Sequence, residues 1–180
     1  GTVDPERALL QTRARAGDKL VLTKPIGTGI AAQAIKSGTL AAADLAQVIA
    51  QMSELNRAAK DAALACGAHA ATDVTGFGLL GHLAEMLRNT EVSAELEMIK
   101  IPFIREVKNL AAAGTIPGGS HNNLEFVNGE VSFNGLSQIN RLMLADAQTS
   151  GGLLIALSPS HAASFIEQFN AESTIKAIAI

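Results

Sequence analysis

The sequence predicts an α/β chain of the α+β kind: a mixed β-sheet with helices packed on it in layers. Three observations carry that reading. Short β-like runs and helical runs alternate along the 180 residues. Hydrophobic residues make up 48% and charged residues only 17%, enough apolar side chain to fill a sizeable core. Period-two alternation over 92–98, and a possible hairpin at Asn128-Gly129, speak for a mixed rather than an all-parallel sheet. One domain over residues 1–180 is the expectation for this length. Aromatics supply 3%, with no Trp and no Tyr, so the core must be aliphatic.

The elements follow in order. "DKLVLTKP" (18–25) alternates and then meets Pro25, so it reads as a strand. "GTGIAAQAIKSG" is a glycine turn into a short helix. Over 41–66, Leu45, Ile49, Met52, Leu55 and Ala59 recur at helical spacing, as one long helix or two in series ending at Gly67. "AHAATDV" is a short buried strand, and 76–88 returns to helix with Phe77, Leu80, Leu83 and Leu87 on one face. Val92, Ala94, Leu96 and Met98 alternate with polar partners and predict a strand with one wet face. Residues 103–113 are helical. The Gly-, Asn- and Ser-rich 113–135 is the longest loop, with a short hairpin between Phe126 and Phe133. "LSQINRLMLADAQ" is helical, "GGLLIAL" a buried strand, Pro159 the start of a last helix, and "TIKAIAI" a final strand.

Several function classes are disfavoured. The net charge is -3, and no Lys/Arg stripe or interleaved aromatics appear, which argues against nucleic-acid binding. No apolar run approaches the ~18 residues of a membrane span. The first residues, "GTVDPERALL", lack a signal-peptide pattern and read as the exit from an earlier strand. The last ones stop inside a β-like run, so both ends are expected to be boundaries within a longer protein. A single cysteine, Cys66, excludes an internal disulfide and a Cys-based zinc cluster, and reads as a small buried hydrophobe in a reduced, cytoplasmic setting.

Three glycine motifs carry the functional signal. In "ATDVTGFGLLGHLAEM" (71–86), Gly76, Gly78 and Gly81 stand at a helix start directly behind Asp73. Glycine within a helix costs roughly 1 kcal/mol relative to alanine. Asp73 or Thr75 sits where an N-cap belongs, and a cap explains the carboxylate but not the glycines. Glycines there let a backbone or a ligand approach closely. A helix N-terminus attracts anions, and a carboxylate beside it calls for a hard cation such as Mg²⁺, which takes one or two carboxylates plus phosphate oxygens. The second motif, "KPIGTGIAAQ", joins strand to helix through Gly27 and Gly29 behind Lys24, and is neither a P-loop nor G-x-G-x-x-G. A tight turn is its plain reading. The third, "DAQTSGGLLIAL", places Gln148, Thr149, Ser150, Gly151 and Gly152 before a buried strand, as a bulge or as a polar loop facing a ligand. His69, His82, His121 and His161 do not cluster, and His82 alone lies near the first motif, with Glu85 three residues on.

Together these motifs, with "IPGG" at Ile116–Gly119, resemble the C-terminal domain of selenophosphate synthetase (selenide, water dikinase), within the aminoimidazole-ribonucleotide synthetase superfamily. The likeness covers nearly the whole chain, and the string over 72–82 is its most specific part. It implies an enzyme that makes selenophosphate from selenide, ATP and water, with release of AMP and phosphate. It implies two domains, a homodimer, and ATP with Mg²⁺ bound mainly on an N-terminal domain absent here. The family's catalytic Cys or selenocysteine and its Lys belong to that absent part. Neither Cys66 nor Lys24 matches them, so no catalytic residue is expected in this chain. No cofactor-contacting residue is assigned either. The family's one Mg²⁺ ligand from this half maps onto Asp73. Two alternatives stay open: the corresponding half of another superfamily synthetase or kinase, and a non-catalytic binding or dimerisation module.

Overall fold

The computed structural model describes residues 4–5 and 8–180. The expectation of an N-terminal strand exit falls partly on residues 1–3, 6 and 7, outside the described residues.

Among the described residues four strands form the sheet: β1 (Lys19–Leu22), β2 (Ala70–Asp73), β3 (Leu153–Leu157) and β4 (Ile178–Ala179), in the order β2-β3-β1-β4. The pairings of these strands are antiparallel, and among the described residues the parallel component is a bridge between Ile26 and Phe103. The helices are α1 (Thr28–Lys36), α2 (Ala42–Ser53), α3 (Arg57–Ala65), α4 (Gly78–Leu87), α5 (Val107–Ala112), α6 (Gly118–Phe126), α7 (Gln138–Leu144) and α8 (Pro159–Glu172).

The two central strands are apolar on both faces because helices cover both. Leu20, Leu22, Leu154 and Ala156 point to one side and pack with Leu79, Leu80, Leu83 and Met86 of α4. Val21, Ile155 and Leu157 point to the other and pack with Ala59 and Ala63 of α3 and Phe165 and Phe169 of α8. Burying each such Leu or Ile contributes about 1.5–3 kcal/mol, which is why these runs leave no polar alternation. A third cluster joins α1, α2, α5 and α7 through Ile30, Ala31, Val48, Val107, Ala111 and Met143. No helix among the described residues is long and apolar enough to cross a membrane.

Several local expectations are corrected. Residues 91–97 are not a strand, and a 3-10 turn, Met98–Lys100, follows them. The free edge of β1 is taken by β4, so Leu96 and Met98 satisfy their alternation by packing on the α4 cluster instead of by pairing. The loop expected over 113–135 contains α6, and the hairpin at Asn128-Gly129 does not form. Poor helix formers fill α6, but its polar side chains have partners elsewhere: Ser120 Oγ donates to Asp146 Oδ1 (2.9 Å), and Asn123 Nδ2 to the carbonyls of Gly76 (2.8 Å) and Ala145 (3.0 Å). Tertiary bonds override propensity there.

The phase of α2 also differs. Its buried face is Asp44, Val48 and Gln51, while Ile49 is 50% exposed and Leu55, beyond the helix end, 76%. Polar partners hold that face inward: Arg105 Nη2 lies 2.6 Å from Asp44 Oδ1, and Gln51 Nε2 donates to Pro25 O at 2.8 Å. In α4 the buried face runs through Leu79, Leu80, Leu83 and Met86, leaving Phe77 outside it and 52% exposed.

Candidate functional site

Asp73 is the last residue of β2, paired with Leu153, and its side chain is exposed. It is not a helix cap. The N-cap of α4 is Phe77, four residues on, and no side chain caps that helix. Thr75 does not cap it either, for its hydroxyl meets His82 Nε2 at 3.1 Å. Burial pushes the His82 imidazole below its ordinary pKa, opposed by the charges of Asp73 and Glu85. Among the described residues, the Asp73 carboxylate makes no hydrogen bond or ion pair. The Asp73 carboxylate is therefore free of any capping role and open to solvent.

The glycines behind Asp73 have separate causes. Gly78 has φ +69°, and a Cβ there would lie 2.6 Å from Ala145 O and 2.9 Å from Asp146 O. Of the two approaches the motif allowed, a backbone or a ligand, Gly78 meets the chain's own backbone. Gly76 borders open space. Beside it, Phe77 stacks on Phe126 with ring centroids 5.6 Å apart.

The three glycine motifs form one knot. Gln148 Oε1 accepts from the amides of Gly27 (2.8 Å) and Thr28 (3.1 Å) and from Thr28 Oγ1 (3.1 Å). Asp146 Oδ2 accepts from the amides of Gly29 (3.0 Å) and Ile30 (3.2 Å) at the start of α1. From the same segment, Gln148 N–H donates to Thr75 O at 2.9 Å, and Val74 N–H to Gly152 O at 2.8 Å. Gly151 is required where it stands, since a Cβ would fall 2.0 Å from Val74 O. Lys24, 2% exposed, donates from Nζ to the carbonyls of Glu54 (2.7 Å), Ser150 (3.0 Å) and Gln51 (3.3 Å). Burial lowers its pKa, opposed by the Glu54 charge.

Asp73 opens onto a cavity of about 570 Å³ that also touches Gln11, Asn56, Arg57, Lys60 and Thr72. Asn56 Nδ2 donates to Gly151 O at 2.9 Å, and its Oδ1 is buried with no partner. A larger groove of about 670 Å³ runs under α4 between 92–96 and 130–136, lined mainly by Leu, Val and Ala, and shares no lining residue with this cavity. Convergent polar groups mark a site better than size does. Asn56, Arg57, Lys60 and Asp146 were not legible as site residues in the sequence. The available signal was the lone carboxylate just ahead of the polar glycine turn. Cys66 is buried, as expected, and lies outside the cavity.

Residues 15–180 match the model of the AIR synthase related protein C-terminal domain. The chain belongs to that family. It is 43% identical over 166 residues to a selenide, water dikinase of Geobacter metallireducens, covering 92% of this chain and 48% of that protein. It is 44% identical over 176 residues to one of Pelobacter propionicus, covering 95% and 49%. The chain thus spans about half the length of the curated relatives it matches. Among solved structures, a thiamine-monophosphate kinase of Stenotrophomonas maltophilia superposes with a TM-score of 0.67 at 17% identity, over 99% of this chain and 51% of that one. The hydrogenase maturation protein HypE superposes at 0.63 with 21% identity, over 99% and 47%. These two share the fold, which agrees with the expected α/β class.

Proposed function

We propose that this chain is the C-terminal domain of a selenide, water dikinase, which makes selenophosphate from selenide, ATP and water with release of AMP and phosphate. The observation that carries the reading is the 43–44% identity to such enzymes over nearly the whole chain. It outweighs the fold likeness to a thiamine-monophosphate kinase and to HypE at 17–21% identity. The other half of the parent supplies the ATP-binding domain and the catalytic residues, and the parent works as a homodimer in the cytoplasm.

Mg²⁺ fits the residues present as a shared guest. Asp73 offers an exposed, unpaired hard oxygen, and the Oδ1 of neighbouring Asn56 lacks a partner. Among the described residues no group of three or more His, Cys, Asp or Glu side chains could hold a metal alone. Phosphoryl transfer depends on positioning and on metal neutralisation of developing charge, which is what Mg²⁺ supplies when bound. This chain's contribution is to hold one carboxylate at the end of a paired strand, with the 148–152 turn fixing the strand's exit.

Selenide-dependent AMP formation tests the reading. The intact two-domain protein should show it, and the 180-residue chain alone should not. Asp73→Asn in the intact protein should lower activity or raise the Mg²⁺ requirement at unchanged melting temperature. Full activity of that variant at ordinary Mg²⁺ would remove the ligand role, and no selenide dependence in the intact protein would remove the family activity.

A further inference from the structure

We propose that Asp146 is a positioning residue for the turn that carries Asp73, acting through Gln148 and through the backbone of Ala145 and Asp146. The reading of Asp73 as a ligand supplies the purpose of this arrangement, and the geometry stands without it.

Asp146 is fully buried and held from three directions. Its Oδ2 accepts from the Gly29 and Ile30 amides and from Gln148 Nε2 (3.1 Å), and its Oδ1 accepts from Ser120 Oγ of α6. The first amides of α1 have no intrahelical acceptor, so a carboxylate there is bound by orphan donors and by the helix dipole. Pinning Asp146 pins the main chain around it. The Ala145 and Asp146 carbonyls then form the wall on which Gly78 rests. Asn123 ties Ala145 O to Gly76 O, and the Gln148 amide holds Thr75 O. Both limbs of the 74–78 turn therefore lean on 145–148. A plain helix cap would explain the bonds to Gly29 and Ile30, but not this second set of contacts.

The charged groups nearby are few. From α1 comes Lys36 in the last turn, from α5 Lys108, from α6 the exposed His121 and Glu125, and from α7 Arg141, whose Nε is bonded to Leu136 O. Lys24 is bonded to Ser150 O, and Asp73 and Glu85 act on His82. None of these bonds the Asp146 carboxylate. His82 is the other group whose titration the turn would feel, through Thr75 Oγ1. Burial pushes the Asp146 carboxyl up to about 6, against the pull of its four donors. The Ser120 hydroxyl donates to the charged form, and a proton on Oδ1 leaves the three Oδ2 bonds in place.

The test is an NMR pH titration of the 180-residue chain carrying His82→Gln, which silences the imidazole. The Asp146 side-chain carboxyl carbon should inflect near pH 6, and the Gly78 and Gln148 amides should inflect with it. Asp146→Asn should flatten those amides. Ser120→Ala removes one donor to the charged form and should move the shared midpoint up by about one pH unit. Turn amides that ignore Asp146, that keep their inflection in Asp146→Asn, or whose midpoint is unmoved by Ser120→Ala would overturn the proposal. Should Asp146→Asn not fold, the Ser120→Ala shift decides alone. No metal or substrate enters the measurement, so a failed ligand role for Asp73 leaves its outcome intact.

Discussion

The Asp146 carboxylate lies 3.0 Å from the Gly29 amide, a bond across 117 residues that joins two motifs which look unrelated in the sequence. Its cost is desolvation, and that cost depends on pH. The folded carboxyl titrates near 6, above its ordinary 3.8, so the folded state holds the proton more tightly than the unfolded chain does. Stability from this group is fully present below about pH 4, falls as pH rises to 6, and is flat above. The span corresponds to about 3 kcal/mol. Urea unfolding of wild type and Asp146→Asn should therefore give a stability difference that shifts toward the variant by about this amount between pH 4 and 6. At pH 7.5 the Asn variant, which keeps acceptors for Gly29 and Ile30 without a buried charge, should be at least as stable. Parallel curves across the range would contradict the linkage.

The glycines of the 71–86 stretch should respond very differently to alanine. Gly76 borders open space and has no left-handed φ, so Gly76→Ala should change stability by less than about 0.5 kcal/mol. Gly78 has φ +69° and rests against Ala145 O, so Gly78→Ala should cost about 3 kcal/mol or more. Thermal melts of the two variants check this, and equal losses would mean that the 145–146 backbone yields freely.

Legibility followed the range of the forces. β1 and β3 could be read because an apolar run between glycine, proline and charge signals carries its own evidence. The end of β2 at Asp73 was legible because its motif is compact. The 92–98 segment misled because alternation reports a buried face, not a hydrogen-bonded partner, and packing on α4 serves as well. Helix α6 was hidden because its stability comes from Ser120 and Asn123 reaching Asp146, Ala145 and Gly76. Asp146 was missed because three of its donors lie on α1 and α6, and nothing local to "LADAQ" reveals them. Asn56 and Arg57 enter the cavity only because Lys24 and Gly151 draw the start of α3 against the sheet edge.

Backbone protection should fall toward the last strand. β4 has two residues, lies at the sheet edge and pairs with β1 alone, whereas β3 is flanked on both sides. Hydrogen exchange should be faster at Ile180, whose amide bonds Leu20 O, than at Ile155. Equal protection would place β4 in the same cooperative unit as the central strands.

Lys24 offers the sharpest separation between a structural and a catalytic lysine. The residue is 2% exposed and its three donors are spent on three carbonyls, from two segments far apart in the chain. A catalytic lysine needs a free donor or a lone pair aimed at substrate, and this one has neither. Lys24→Met preserves length and packing but leaves the Gln51, Glu54 and Ser150 carbonyls without their donor. Unsatisfied buried acceptors cost about 1–3 kcal/mol each, partly offset by the removed burial of a charge, so a net loss of about 2–3 kcal/mol is expected. Lys24→Arg should not rescue it, because a planar guanidinium fork cannot converge on three carbonyls as a compact ammonium does. Because Ser150 precedes Gly151, whose carbonyl holds Asn56, the Met variant should also speed amide exchange at Asn56 and Arg57. A Met variant with wild-type stability and unchanged exchange at those two residues would show that the carbonyl cage contributes nothing, and would reopen a chemical role for Lys24.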